Sequence, residues 1–88
     1  MSTEEVERKI SQSIELMNLL LQDMGVPRNI KRAVEEGKRR LKEQGDPIVR
    51  AGAAVYCLTE VSEDINMPPH ARTHLWGVLT LLESLREK

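Results

Sequence analysis

Few side chains in this chain are of types that do chemistry, so their spacing is weighed first. His70 and His74 stand one helical turn apart, the spacing at which two imidazoles on a helix face can share a metal ion. The intervening Ala71-Arg72-Thr73 holds no Glu to serve as a base, and a third ligand would have to come from Glu63 or Asp64. The pair is therefore expected to be partly exposed near a helix start, with no metal and no cofactor. Cys57 is the single cysteine, which excludes an internal disulfide, and one Cys with two His makes no zinc pattern. Among Ala54, Val55, Leu58 and Val61, with Arg50 the one base close in sequence, it is expected to be buried and inert. No set of nucleophile, base and oxyanion donor can be assembled, so the chain is not expected to be an enzyme.

The remaining chemistry is charge. Formal net charge is −1, yet residues 1–25 sum to −3 and residues 26–45 to +4. Arg28, Arg32, Arg39 and Lys42 are the candidates for a nucleic-acid face on this basic stretch, and such binding would weaken steeply with salt. The same stretch spaces Glu35 with Arg39, Glu36 with Arg40, Arg32 with Glu36 and Arg39 with Glu43 for helical ion pairs, the pattern of a solvated face. It has neither an aromatic stacking platform nor a glycine-rich phosphate loop.

The elements that carry these residues are set by a stretch that occurs twice. Asp23-Met24-Gly25-Val26-Pro27-Arg28-Asn29-Ile30-Lys31 aligns without a gap on Asp64-Ile65-Asn66-Met67-Pro68-Pro69-His70-Ala71-Arg72, at an offset of 41 residues. Gly25 and Asn66 suit a left-handed backbone past a helix end, and proline suits the first turn of the next helix, so each copy reads as an elbow between two helices. The offset extends outward, setting Ile10 on Ala51, Met17 on Leu58, Val34 on Leu75 and Leu41 on Leu82. Helix-pair repeats have this kind of period, because one hairpin cannot bury its apolar face alone. Ser2 with Glu5 offers a capping box, and Asp46-Pro47 opens the third helix with a cap and a first-turn proline.

The expected fold is all-α: an up-and-down four-helix bundle of two antiparallel hairpins, with helices near 3–24, 28–44, 47–65 and 69–87 of matched length. Met24, Val49 and Ile65 are assigned to inner faces. Lys31, Arg50 and Arg72, early in helices where the dipole disfavours a cation, are expected to find acidic partners, Asp64 with Arg72 for example.

Eighty-eight residues make one domain, 1–88, whose core is small enough that oligomerisation is the natural addition to its stability. With no Phe, one Trp and one Tyr, the core must be built of aliphatic residues. Leu16, Leu19 and Leu20 widen the first helix's apolar face beyond what one partner covers. Tyr56, Trp76 and Leu81 stand to the sides of the inner rows of the third and fourth helices. These six are the expected interface of a homodimer or higher homo-oligomer, with an unidentified protein partner as the other occupant. No signal peptide or long apolar run is present, so the protein is expected in the cytoplasm, away from membranes.

Val26-Pro27-Arg28-Asn29-Ile30-Lys31-Arg32-Ala33, Arg50-Ala51-Gly52-Ala53-Ala54, and Asp64-Ile65-Asn66-Met67-Pro68 with Arg72 and Trp76 resemble a family of small archaeal proteins, uncharacterised protein family 0147. The likeness covers nearly the whole chain and implies a compact helical bundle with no assigned activity. Residues 46–58 also look like the start of the second helix of a HEAT repeat, which implies an interaction scaffold. The function expected is a non-enzymatic oligomeric scaffold; the alternative is an RNA- or DNA-associated accessory protein acting through the basic helix.

Overall fold

Local capping starts the helices where the sequence places them. Ser2 Oγ accepts the Glu5 amide at 3.1 Å and donates to Glu5 Oε1 at 3.2 Å, so the cap is made and the Glu5 side chain returns to the Ser2 hydroxyl. Asp46 accepts the Ile48 amide at 2.8 Å with Pro47 in the first turn. The carbonyls of Pro27 and Pro68 accept from Lys31 and Arg72, each at 3.0 Å. The structure, a computed structural model, describes residues 2–86. Its helices are α1 (Thr3–Gln22), α2 (Arg28–Leu41), α3 (Pro47–Thr59) and α4 (Pro69–Arg86), with no strand among the described residues.

The helix ends differ from expectation, most of all in α3, which stops at Thr59 instead of near 65. Polar side chains take over the carbonyls there. Thr59 Oγ1 donates to Val55 O at 2.7 Å and Ser62 Oγ to Thr59 O at 3.0 Å, while the amides of Val61 and Ser62 tighten onto carbonyls three residues back. Helix lengths are consequently not all matched: α1 and α4 have 20 and 18 residues, α2 and α3 have 14 and 13.

Packing follows that division. The most extensive interfaces are α1 on α4 and α2 on α3; α3 also packs on α4 and α1 on α2, and α1 touches α3 across the diagonal. Neighbours run antiparallel. Lys9 near the start of α1 donates to Ser84 near the end of α4 at 2.9 Å, and Arg50 at the start of α3 donates to the Leu41 carbonyl at the end of α2 at 2.8 Å. The result is a bundle of 36 × 20 × 19 Å.

The 41-residue offset is a register of burial. Ile10 and Ala51, Met17 and Leu58, Val26 and Met67, Ile30 and Ala71, Val34 and Leu75, and Leu41 and Leu82 are buried in both copies. Gly37 aligns with Val78, and the difference has a cause. A Cβ on Gly37 would lie 3.0 Å from Met17 Cε and 3.6 Å from Leu58 Cδ2, so this backbone is small where the tips of two equivalent core residues meet.

Three residues assigned to inner faces are exposed: Met24 (97%), Ile65 (89%) and Val49 (69%). Met24 and Ile65, equivalent under the offset, lie beyond α1 and α3, where helical periodicity no longer governs direction. Gly25 and Asn66 do not take the left-handed backbone either. Among the described residues only Gly45 has a positive φ, 122°, in the loop between α2 and α3. The elbows turn by another device.

Candidate interaction surface

At each elbow an aspartate closes its own turn and reaches the other elbow. Asp23 Oδ1 accepts the Gly25 amide at 2.7 Å and Oδ2 meets His70 Nε2; Asp64 Oδ1 accepts the Asn66 amide at 2.8 Å and Oδ2 accepts from Asn29 Nδ2 at 3.0 Å. Asn29 and His70 are themselves equivalent under the offset, so the two contacts are one interaction made twice. These Asx turns replace the left-handed residue. His70 is thus engaged by Asp23 rather than paired with His74, and no three His, Cys, Asp or Glu residues among those described converge as a metal site would need. Arg72 donates to the backbone carbonyl of Asp64 at 3.0 Å, not to its carboxylate, which is already taken by Asn66 and Asn29.

The Gly25 amide, followed by His70, holds the Asp23 carboxyl below its ordinary 3.8; the Asn66 amide, followed by Asn29, does the same for Asp64. A folded pKa below the unfolded one contributes stability above the unfolded value, and that contribution is lost as pH falls through the folded value. The protein is therefore expected to lose part of its stability below about pH 4. Circular-dichroism melts at pH 7 and pH 3 check this: Asp64→Ala should narrow the gap between the two melting temperatures, and an unchanged gap refutes the role of this carboxylate.

The six residues expected to form one interface separate into a core position and two surfaces. Leu20 is buried, not at an interface, because α1 has α2, α3 and α4 as neighbours and its wide apolar face is covered within the chain. Leu16, Leu19 and Leu81, with Gln12 and Glu15, line an open groove of about 400 Å³ between α1 and α4. Beneath it, Leu16 Cδ1 lies 3.4 Å from where a Gly77 Cβ would stand, so glycine lets the helices close. Trp76 lies five residues before Leu81, about 140° around the helix at 100° per residue, and so belongs to a different side of α4. Tyr56 (73% exposed) and Trp76 (49%) instead stand on α3 and α4, which pack together, and Val49 and Ile48 are exposed on α3 as well. The sequence signal for this second surface is the charge content of α3: between Pro47 and Thr59 only Arg50 is charged. Its guanidinium turns back to Leu41 O and to Glu7 Oε2 at 2.8 and 3.2 Å.

On α2, Glu36 pairs with Arg40 and Arg39 with Glu43, each at 3.1 Å, as spaced for; Arg39 also takes Glu36 rather than Glu35. Arg28, Arg32 and Lys42 are exposed with no ion pair among the described residues. Cys57 is half-buried, not buried. It opens onto a groove of about 430 Å³ with Asn29, Arg32, Ala33, Glu36, Glu60 and Val61, since small Ala33 leaves the seam between α2 and α3 partly unfilled. Burial, reinforced by the Glu36 carboxylate, pushes its thiol up and away from the reactive thiolate. No helix of the described residues is long and apolar enough to cross a membrane.

Comparison with known proteins agrees with the architecture. A family model described as "Uncharacterised protein family (UPF0147)" matches residues 1–85. A UPF0147 protein of Saccharolobus islandicus is 42% identical over 82 residues, 92% of each chain. The crystal structure of a protein of unknown function superposes with a TM-score of 0.82 at 36% identity, covering 90% of this chain and 91% of its own. That of a UPF0147 protein from Thermoplasma acidophilum superposes with a TM-score of 0.85 at 26% identity, covering 94% and 99%.

Proposed function

Because the chain belongs to the uncharacterised protein family UPF0147, we propose its role from its own surface: it is a non-enzymatic interaction protein of the cytoplasm that works as an oligomer, in its simplest form a homodimer. The observation that carries this reading is the set of large apolar side chains standing in solvent on two adjacent helices, Val49 and Tyr56 on α3 and Trp76 on α4. Large apolar side chains left in solvent on adjacent helices of a small, highly charged protein mark a site of association. A domain of this size also gains from it, since its own core is close to the lower limit for independent stability.

Sedimentation equilibrium after nuclease treatment tests the reading. A dimer of twice the 10.0 kDa chain mass is expected at micromolar concentration, and a monomer at every concentration overturns it. The second reading, contact with RNA or DNA through α2, rests on Arg28, Arg32 and Lys42 having no ion-pair partner among the described residues. It requires salt-sensitive retention on a nucleic-acid column that Arg28→Glu with Arg32→Glu abolishes.

A further inference from the structure

A helix on the surface of a bundle ordinarily turns charged residues outward, and one that is apolar all round is ordinarily buried all round. α3 breaks that rule. Its single charged residue, Arg50, is turned inward with its side chain 15% exposed, so its outward side is Val49, Gly52, Ala53 and Tyr56, with exposed Ile48 beside them. Four residues of helix separate Val49 from Ala53 and Gly52 from Tyr56, which puts large, small, small and large side chains along one stripe.

Resting on the reading as an associating scaffold, we propose that this stripe, with Trp76 at its edge, is the seam of a two-fold dimer whose occupant is a second copy of this chain. Charge favours this seam over the alternatives. Within α3 the stripe is uncharged, and the Arg86 guanidinium beside Gly52 is paired with Glu83 at 3.3 Å. A two-fold here therefore brings like charges near each other only at the ends, where Glu60 of one copy stands by Asp46 of the other. The alternatives do so more centrally: the outer side of α2 is strongly basic, and the α1/α4 groove carries Glu15 in its lining. Area agrees. The exposed parts of Tyr56 and Trp76 supply on the order of 250 Å² per copy. With Ile48, Val49, Gly52, Ala53 and the polar rim of Glu60, Thr80 and Arg86, the surface approaches the ~800 Å² per partner of a standard interface.

The spacing also sets the register. Val49 and Tyr56 are disposed symmetrically about the Gly52–Ala53 bond, so antiparallel α3 helices related by a two-fold axis at that bond lay each Tyr56 ring over Val49 of the other copy. Ala53 lets the helix axes approach to about 8–10 Å, while at Gly52 the Arg86 side chain of α4 borders the space, its Nε 3.8 Å from where a Cβ would stand.

Three variants in sedimentation equilibrium test the seam. Tyr56→Asp should weaken dimerisation at least 100-fold, while Leu19→Glu in the α1/α4 groove leaves it unchanged. Ala53→Cys in a Cys57→Ser background should form an intersubunit disulfide under mild oxidation, which reads the register even if Tyr56→Asp fails to fold. A dimer that survives Tyr56→Asp, that Leu19→Glu also dissolves, or that Ala53→Cys cannot cross-link overturns the seam and leaves the scaffold reading standing. A wild-type monomer throughout overturns both.

Discussion

Leu58→Ala is expected to cost about 3 kcal/mol of stability, within the range for burying a cavity where a leucine stood. For a domain of this size that lowers the melting temperature by roughly 10–25 °C. Leu58 is fully buried on α3 and meets Met17, its equivalent under the 41-residue offset, above the backbone of Gly37. Gly37 has no side chain to move into the space, and Ala54 on the same face is short. The flexible Met17 tip can follow, so the void is filled in part. Urea melts at matched protein concentration check this, because association makes apparent stability depend on concentration. Leu19→Ala, on a half-exposed leucine of the α1/α4 groove, is the control and should cost less than about 1 kcal/mol. Similar losses from the two variants would mean that the centre of the bundle repacks freely.

Arg50→Met is the second large effect, about 2 kcal/mol, from an acceptor left without its donor. Met keeps the stem of the side chain against its neighbours and removes only the guanidinium. The Leu41 carbonyl ends α2, and among the described residues no later backbone amide reaches it; Arg50 Nη1 does, at 2.8 Å, placing a cation where the helix dipole favours one. The other contact, to Glu7, is weaker because that carboxylate is half in solvent. Glu7→Gln should therefore cost no more than about 0.5 kcal/mol and Arg50→Met several times as much, with little sensitivity to salt. Equal losses from the two would move the importance of Arg50 from the carbonyl to the ion pair. The expectation that Arg50 would need a compensating partner was legible in its place early in a helix; that the partner is a carbonyl of α2 was not.

What the sequence by itself determined lies within a few residues of chain. Ser2 with Glu5 and Asp46 with Pro47 open helices wherever they occur, because a cap needs only the next turn of backbone. The apolar periodicity, repeated at an offset of 41, selected most of the buried rows, since an inner face is a property of one helix and its spacing; Val49, placed on the inner face of α3 by that spacing, is the exception within a helix. The doubled elbow was legible for the same reason.

Tertiary structure decided everything that depends on which neighbour arrives. Periodicity shows that α1 has apolar residues on more than one side; only packing against three helices turns Leu20 into core while Leu19 stays half in water. Composition shows that α3 has a single charge, but its exposed stripe exists because α2, α4 and α1 pack on its other sides and none of the described residues covers this one. Asp23 and His70, far apart in sequence, meet because the elbows share one end of the bundle, and their equivalents Asp64 and Asn29 meet with them. Local spacing fixes which way a side chain leaves its helix, and the fold alone determines what stands there to receive it.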